Sequence, residues 1–308
     1  MNKIYLFLSI FVVATLACGL SVTVAPTNNP APLPTDTIVP VMVTPTQIPS
    51  IATLIPTTVP PSATSTVMNL PLDGVEVSVG ALSIILPPGL TNGARGIQLP
   101  RAEGQNVAPW DVTPGHTQLK LEGYSLQGKS QQPLIYIYPA QGYAEMYPSA
   151  FESIHRLDNI LGNPGVPINN EQLPVVPFFN AQQAFASKIQ VMSFQNGRGV
   201  RFLTEYAQYP VSANNQDLFY HFQGLTSDGG YYIIAILPIT VPVLADSSDA
   251  GAALPPGGIA YPDMSNSNVD WQGYYNAVTN MLNATSPEAF SPTINQLDKL
   301  IESMRIRP

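Results

Sequence analysis

Two turn signals, Asn196-Gly197 and Asp228-Gly229, constrain this chain most, because each lies between runs of β-forming residues and makes them fold back on themselves. Both residues of such a pair tolerate a positive φ, which the tight type I′ hairpin requires. Residues 188–195 and 199–208 flank the first signal, and 217–226 and 230–237 flank the second. The pattern predicts a four-stranded antiparallel meander. Within it, Tyr231-Tyr-Ile-Ile-Ala-Ile-Leu237 is apolar at odd and even positions alike, so that strand must be covered on both faces. Helices have to do the covering.

The sequence offers three. Over 148–161, Phe151, Ile154, Leu157 and Leu161 share a face, Pro148 suits the first turn and Gly162 offers a C-terminal cap. Residues 269–282 read as helix, and Ser291-Pro292 opens a last one with a stripe of Ile294, Leu297, Leu300, Ile301 and Met304. Upstream, 75–79 and 81–86 read as short strands about Gly80, 117–124 as a half-buried strand and 133–138 as a more buried one. Residues 89–116 and 163–179 read as loop. The expected fold is α+β, an antiparallel sheet built on the four-stranded meander and packed by one central and two C-terminal helices.

The first eighteen residues, MNKIYLFLSIFVVATLAC, have a different logic. Lys3 precedes an uncharged, mostly apolar run from Ile4 to Leu16. That run is shorter than the roughly 20 residues a helix needs to cross a bilayer, so it reads as a cleaved secretory signal. Ala14-Thr15-Leu16-Ala17-Cys18 resembles the lipobox of bacterial lipoproteins, with Thr15 where Leu is commoner. The resemblance implies cleavage before Cys18 and alkylation of its thiol by a diacylglycerol. It also implies frequent acylation of the new amino group, and two or three acyl chains hold a protein stably on a bilayer. Cys18 is the only cysteine, so none is left for a disulfide. Gly19 follows, where an Asp would imply inner-membrane retention in that family.

From residue 19 to about 66, Pro recurs at short intervals with Thr between, and Asp36 is the only charge. Pro excludes helix interiors and central strands, so this segment reads as an extended, solvated stalk. About 48 residues at roughly 3.1 Å each reach at most about 150 Å. Either a plain spacer or a wall-embedded, Thr-glycosylated stalk fits. The expected organisation is a signal at 1–17, a lipid-anchored stalk at 18–70 and one globular α+β domain at 71–308.

A net charge of −8 without a basic cluster argues against nucleic acid and anionic lipid surfaces as partners. His116, His155 and His221 lack metal-ligand spacing, and nothing in the sequence calls for a cofactor. Gly123-Tyr-Ser125-Leu-Gln-Gly128 misses the serine-hydrolase elbow, because Gln127 stands where the second Gly should be. His155 and Asp158 read as a helix-surface pair. Asp246-Ser-Ser-Asp249-Ala-Gly251 lacks the ligand spacing of a calcium loop. Turn registers put Arg201 and Glu205 on one face of the sheet and His221 on the other. Tyr136, Tyr138, Tyr143 and Tyr147, with Tyr206 and Tyr209, are the candidate ligand contacts, since a Tyr ring offers a flat apolar face and a polar tip.

The closing order, paired strands followed by a helix near Ser303-Met-Arg-Ile306, is similar in layout to the PsbP/Mog1 family of α/β domains. Phe178-Phe-Asn-Ala-Gln182, Asn196-Gly-Arg-Gly-Val-Arg-Phe-Leu-Thr204 and Phe222-Gln-Gly-Leu-Thr-Ser-Asp-Gly229 resemble segments of an uncharacterised set of stalked bacterial lipoproteins. Neither resemblance brings functional residues with it. The expectation is a non-enzymatic lipoprotein on the extracytoplasmic face of the membrane, held through diacylglyceryl-Cys18 and binding an envelope protein or polysaccharide. The alternatives are an extracytoplasmic hydrolase using carboxylates, or Ser125 with a distant His, and a transporter's solute-binding protein, which would need two similar lobes.

Overall fold

In a computed structural model describing residues 74–249, 251–262 and 269–307, the strand Tyr231–Pro238 lies inside a sheet with both its faces buried. In chain order the strands are β1 (Val75–Val79), β2 (Leu82–Leu86), β3 (Gly93–Leu99), β4 (His116–Glu122), β5 (Leu134–Pro139), β6 (Gln182–Phe194), β7 (Gly197–Ala207), β8 (Phe219–Thr226), β9 (Tyr231–Pro238) and β10 (Arg305–Ile306). The helices are α1 (Ala140–Met146), α2 (Pro148–Gly162), α3 (Trp271–Ala284) and α4 (Ile294–Glu302). Seven strands form one antiparallel sheet in the order β3-β4-β5-β9-β8-β7-β6, and β1, β2 and β10 form a smaller antiparallel one. The fold is mixed α+β. The signal, Cys18 and the stalk expected from the sequence lie outside the described residues.

Strand alternation sorts β9 between two cores. Ile233, Ala235 and Leu237 join Leu203, Tyr220 and Phe222 beneath α3, α4 and the small sheet. Tyr232, Ile234 and Ile236 join Val200, Phe202 and Phe219 beneath α1 and α2. Arg201 pairs across the ladder with Phe222, and Phe202 with His221, so Arg201 and His221 project from opposite faces.

α4 is fastened by charge as well as packing. Asp298 accepts from Arg201 Nη2 at 3.0 Å, from Arg201 Nε at 3.2 Å and from the Tyr220 hydroxyl at 2.8 Å. On the other face, neutral groups form a closed chain. His221 Nδ1 donates to the Ala235 carbonyl at 3.0 Å, while its Nε2 accepts from the Gln223 amide at 2.7 Å. Gln223 in turn accepts from the Tyr232 hydroxyl.

Several expectations need correction. The stretch 89–116 contains β3, an edge strand paired only with β4, whose sequence GARGIQL carries no apolar alternation. Its Gly96 is required by contact, since a Cβ there would sit 1.7 Å from Val79 Cγ1. The central region holds two helices rather than one. α1 follows β5 directly, and α2 restarts at Pro148, whose missing N–H suits a first turn. α2 buries Ala150, Ser153, Leu157 and Ile160, and leaves Phe151 56% exposed, so its inward face is rotated from the expected stripe.

The first turn also differs. Phe194 pairs with Gly197, so the loop residues are Gln195 and Asn196, and neither takes a positive φ. Gly197 opens β7 instead. A Cβ on it would come 2.3 Å from the Leu225 carbonyl oxygen and 2.1 Å from the Phe194 ring, so close approach explains this glycine. In the second turn Gly229 alone has a positive φ, at 69°.

Candidate functional site

At the end of β7 the chain leaves the sheet, and its course is dictated by tyrosine hydroxyls on α3. Tyr275 Oη accepts from the Val211 amide at 3.0 Å and donates to the Val211 carbonyl at 2.9 Å. Tyr274 Oη accepts from the Ala213 amide at 2.9 Å. Beneath them Glu205 Oε1 accepts from the Asn214 amide at 2.7 Å. α3 is capped by Asp270, whose Oδ1 accepts from the Gly273 amide at 2.8 Å, so Trp271, Tyr274 and Tyr275 all stand in its first turns.

These rings assemble with Tyr261 into one cluster. Tyr261 meets Trp271 edge-on at 5.5 Å, Trp271 stacks on Tyr275 at 6.2 Å, and Tyr274 lies 5.3 Å from Tyr275. Edge-to-face and offset arrangements at such separations are the favoured ones. Tyr261 is 42% exposed, and Tyr209, which lines a hollow beside Tyr275, is 71% exposed.

The cluster stands between two hollows. The larger, with a volume of about 490 Å³, is lined by Ser212, Ser247, Asp249, Leu254, Tyr261 and Tyr274 among others. The smaller, about 140 Å³, is lined by Gln182, Gln183, Gln208, Tyr209, Pro210 and Tyr275 among others. Among the described residues Asp249 is the one charged residue lining either. Burial pushes the Tyr274 phenol up to about 12 and raises Tyr275 and Tyr261 as well. All three remain neutral hydrogen-bonding groups at ordinary pH.

A third hollow, about 600 Å³, runs along α2 past Glu152, His155, Arg156 and Glu171. Its polar groups are engaged with one another. Arg156 donates to Glu152 at 2.8 Å and to the carbonyls of Glu171 and Leu173, and the Asn159 amide meets His155 Nδ1 at 3.3 Å.

The tyrosines singled out in the sequence fall mostly elsewhere. Tyr138 and Tyr143 are 1% and 0% exposed and stack on each other at 4.3 Å, which corrects the expectation that they are free to meet a ligand. α1, which the sequence reading missed, carries Tyr143 inward onto Tyr138. Tyr136, Tyr147 and Tyr206 are half-buried at the margin of that core, Tyr136 against Phe178 and Tyr206 against Phe179. The Tyr206 hydroxyl accepts from the Val176 amide at 3.0 Å. Of the six, Tyr209 alone lines a hollow beside the exposed cluster, next to Tyr275.

Sequence reasoning missed Tyr261, Trp271, Tyr274 and Tyr275. The signal was there in Asp270-Trp271-Gln-Gly-Tyr274-Tyr275, a capped helix start with aromatics at i, i+3 and i+4. Among the described residues no group of three or more His, Cys, Asp or Glu is placed to hold a metal ion. None of their helices is long and apolar enough to cross a membrane. Ser125 is exposed in the turn after β4, while His221 is sealed inside the sheet and His155 meets Asn159. No family model, curated protein or solved structure matches the chain.

Proposed function

We propose that this chain is a non-enzymatic lipoprotein, tethered to the extracytoplasmic face of the cell membrane through diacylglyceryl-Cys18, whose domain binds an envelope component, a polysaccharide in preference to a protein. The observation that carries the reading is the aromatic groove of Tyr209, Tyr261, Trp271 and Tyr275. It exposes ring faces beside hydroxyl and amide groups, and the one hydroxyl–carboxylate pair among its described residues, Ser247 donating to Asp249 at 2.8 Å, is a contact two residues apart in an exposed turn with no histidine beside it. Exposed aromatic surface of this kind is costly to leave in water and is characteristic of recognition sites. We read the strands β6 to β9 as the four-stranded meander on which the sheet is built. α3 then presents its aromatics along the edge strand β6, with which it packs.

The reading leaves nucleic acid out, because the described residues lining the two hollows beside the cluster include no cation. A hydrolase using Glu205 as its acid is the second reading, favoured by the burial that keeps this carboxyl protonated. Against it, Glu205 lies behind Asn214 and does not line the hollow. Co-sedimentation of the detergent-solubilised full chain with insoluble envelope polysaccharide tests the proposal. Depletion of the chain from solution, lost in Tyr261→Ala, is expected. Turnover of the polysaccharide, or no depletion, overturns it.

A further inference from the structure

The two hollows beside the aromatic cluster are neighbours, divided by the four residues from Tyr209 to Ser212. Tyr209, Pro210 and Tyr275 form one side of the ridge, and Ser212 and Tyr274 form the other. The bonds from Tyr274 and Tyr275 to Ala213 and Val211 hold that ridge in place. We infer that the groove takes a polysaccharide chain of neutral or amino-bearing sugars, laid over Tyr209 so that successive residues occupy both hollows. The inference rests on the binding reading above and names its ligand class.

Three observations support it. Tyr209 on the ridge and Tyr261 in the larger hollow are exposed rings that offer flat apolar faces, which the C–H face of a pyranose ring matches. The polar groups around them are uncharged. Ser212, Ser247 and Ser248 line the larger hollow and Gln182, Gln183 and Gln208 the smaller, a set that can both donate to and accept from sugar hydroxyls. Among the described residues the only charge lining the larger hollow is the exposed carboxylate of Asp249. A phosphate- or uronate-bearing polymer would find no cation there and one like charge, whereas an ammonium group on a sugar would find a partner. Two adjoining subsites also make chain length matter, since a residue seated in one holds the next at high local concentration over the other.

Calorimetric titration of the detergent-solubilised full chain with oligomers of N-acetylglucosamine, glucosamine and galacturonic acid, one to six residues long, tests this. The neutral and amino series are expected to tighten by about tenfold or more between monomer and tetramer, with the galacturonate series at least about tenfold weaker at each length. Tyr209→Ala, a change at an exposed ring between the two hollows, should weaken the tetramer by about tenfold and flatten the length dependence. Asp249→Asn should remove any advantage of glucosamine over N-acetylglucosamine. Binding that ignores length, or that accepts galacturonate equally, overturns the two-subsite inference and leaves the binding reading standing. No heat with any sugar overturns both.

Discussion

The backbone amide of Asn214 donates to Glu205 Oε1 at 2.7 Å, and this bond ties the floor of the aromatic groove to the end of β7. The second oxygen, Oε2, is buried without a partner. A charged carboxylate in that position would be costly, so the acid is held neutral.

Stability should therefore fall with rising pH through Glu205. Burial holds its carboxyl well above the usual carboxylate range, with Asp217 adding to the shift and the Asn214 amide opposing it. The unfolded chain releases this proton near about pH 4.3, while the folded chain keeps it. Glu205's contribution is thus full below that pH and is lost as pH climbs toward the folded value. Glu205→Gln keeps an acceptor for Asn214 and removes the titration. Urea midpoints should match those of the parent near pH 4 and exceed them at pH 8. Parallel profiles would contradict the assignment.

His221 acts in the opposite direction. Burial pushes its imidazole down to about 3, against the bond to the Ala235 carbonyl. The unfolded chain takes up that proton near about pH 6.5, so the stability His221 contributes is lost as pH falls from there toward 3. Nitrogen-15 spectra of labelled histidine should show His221 as the neutral Nδ1–H tautomer at pH 5. An imidazolium signal at that pH would refute the closed chain of hydrogen bonds.

Removing Asp298 should loosen α4. Asp298→Ala leaves the buried Arg201 charge without its carboxylate, held only by the Lys188 carbonyl and Gln190, and frees the Tyr220 hydroxyl, and loss of one partner of such a pair costs about 3–5 kcal/mol. Equilibrium unfolding measures it. A loss below about 1 kcal/mol, the value of an exposed pair, would mean that solvent reaches the pair.

What the sequence made legible follows from where each residue's physics is local. β9 could be read because burial on both faces writes an unbroken apolar run, and α4 because Ile294, Leu297, Leu300 and Ile301 face a single core. β3 could not, since an edge strand with Gly93 and Gly96 needs no apolar pattern. The Asn196-Gly197 signal marked a true hairpin, yet the loop sits one residue earlier because Gly197 is demanded by Phe194 and Leu225, contacts remote from the turn itself. The site was hardest. Tyr138 and Tyr143 have the composition of a binding surface and are closed only by tertiary packing. Tyr209 and Tyr275 come to line one hollow only when α3 docks beside β6.

The tether has its own test. Cys18→Ala removes the only thiol, so the protein should be released from the membrane or accumulate unprocessed, and lose incorporation of labelled palmitate. Unchanged membrane attachment after a high-salt wash would end the lipoprotein proposal.

The central claim is that the aromatic groove is where a sugar chain binds, and the fluorescence of Trp271, which contacts Tyr261 at 5.5 Å and Tyr275 at 6.2 Å, reports on it. The chain has two tryptophans, so Trp110→Phe leaves Trp271 as the only one. Titrating that variant with the hexamer of N-acetylglucosamine should give a saturable change in emission that disappears when Tyr261→Ala is added. Unchanged emission, with or without binding detected by calorimetry, would contradict the claim.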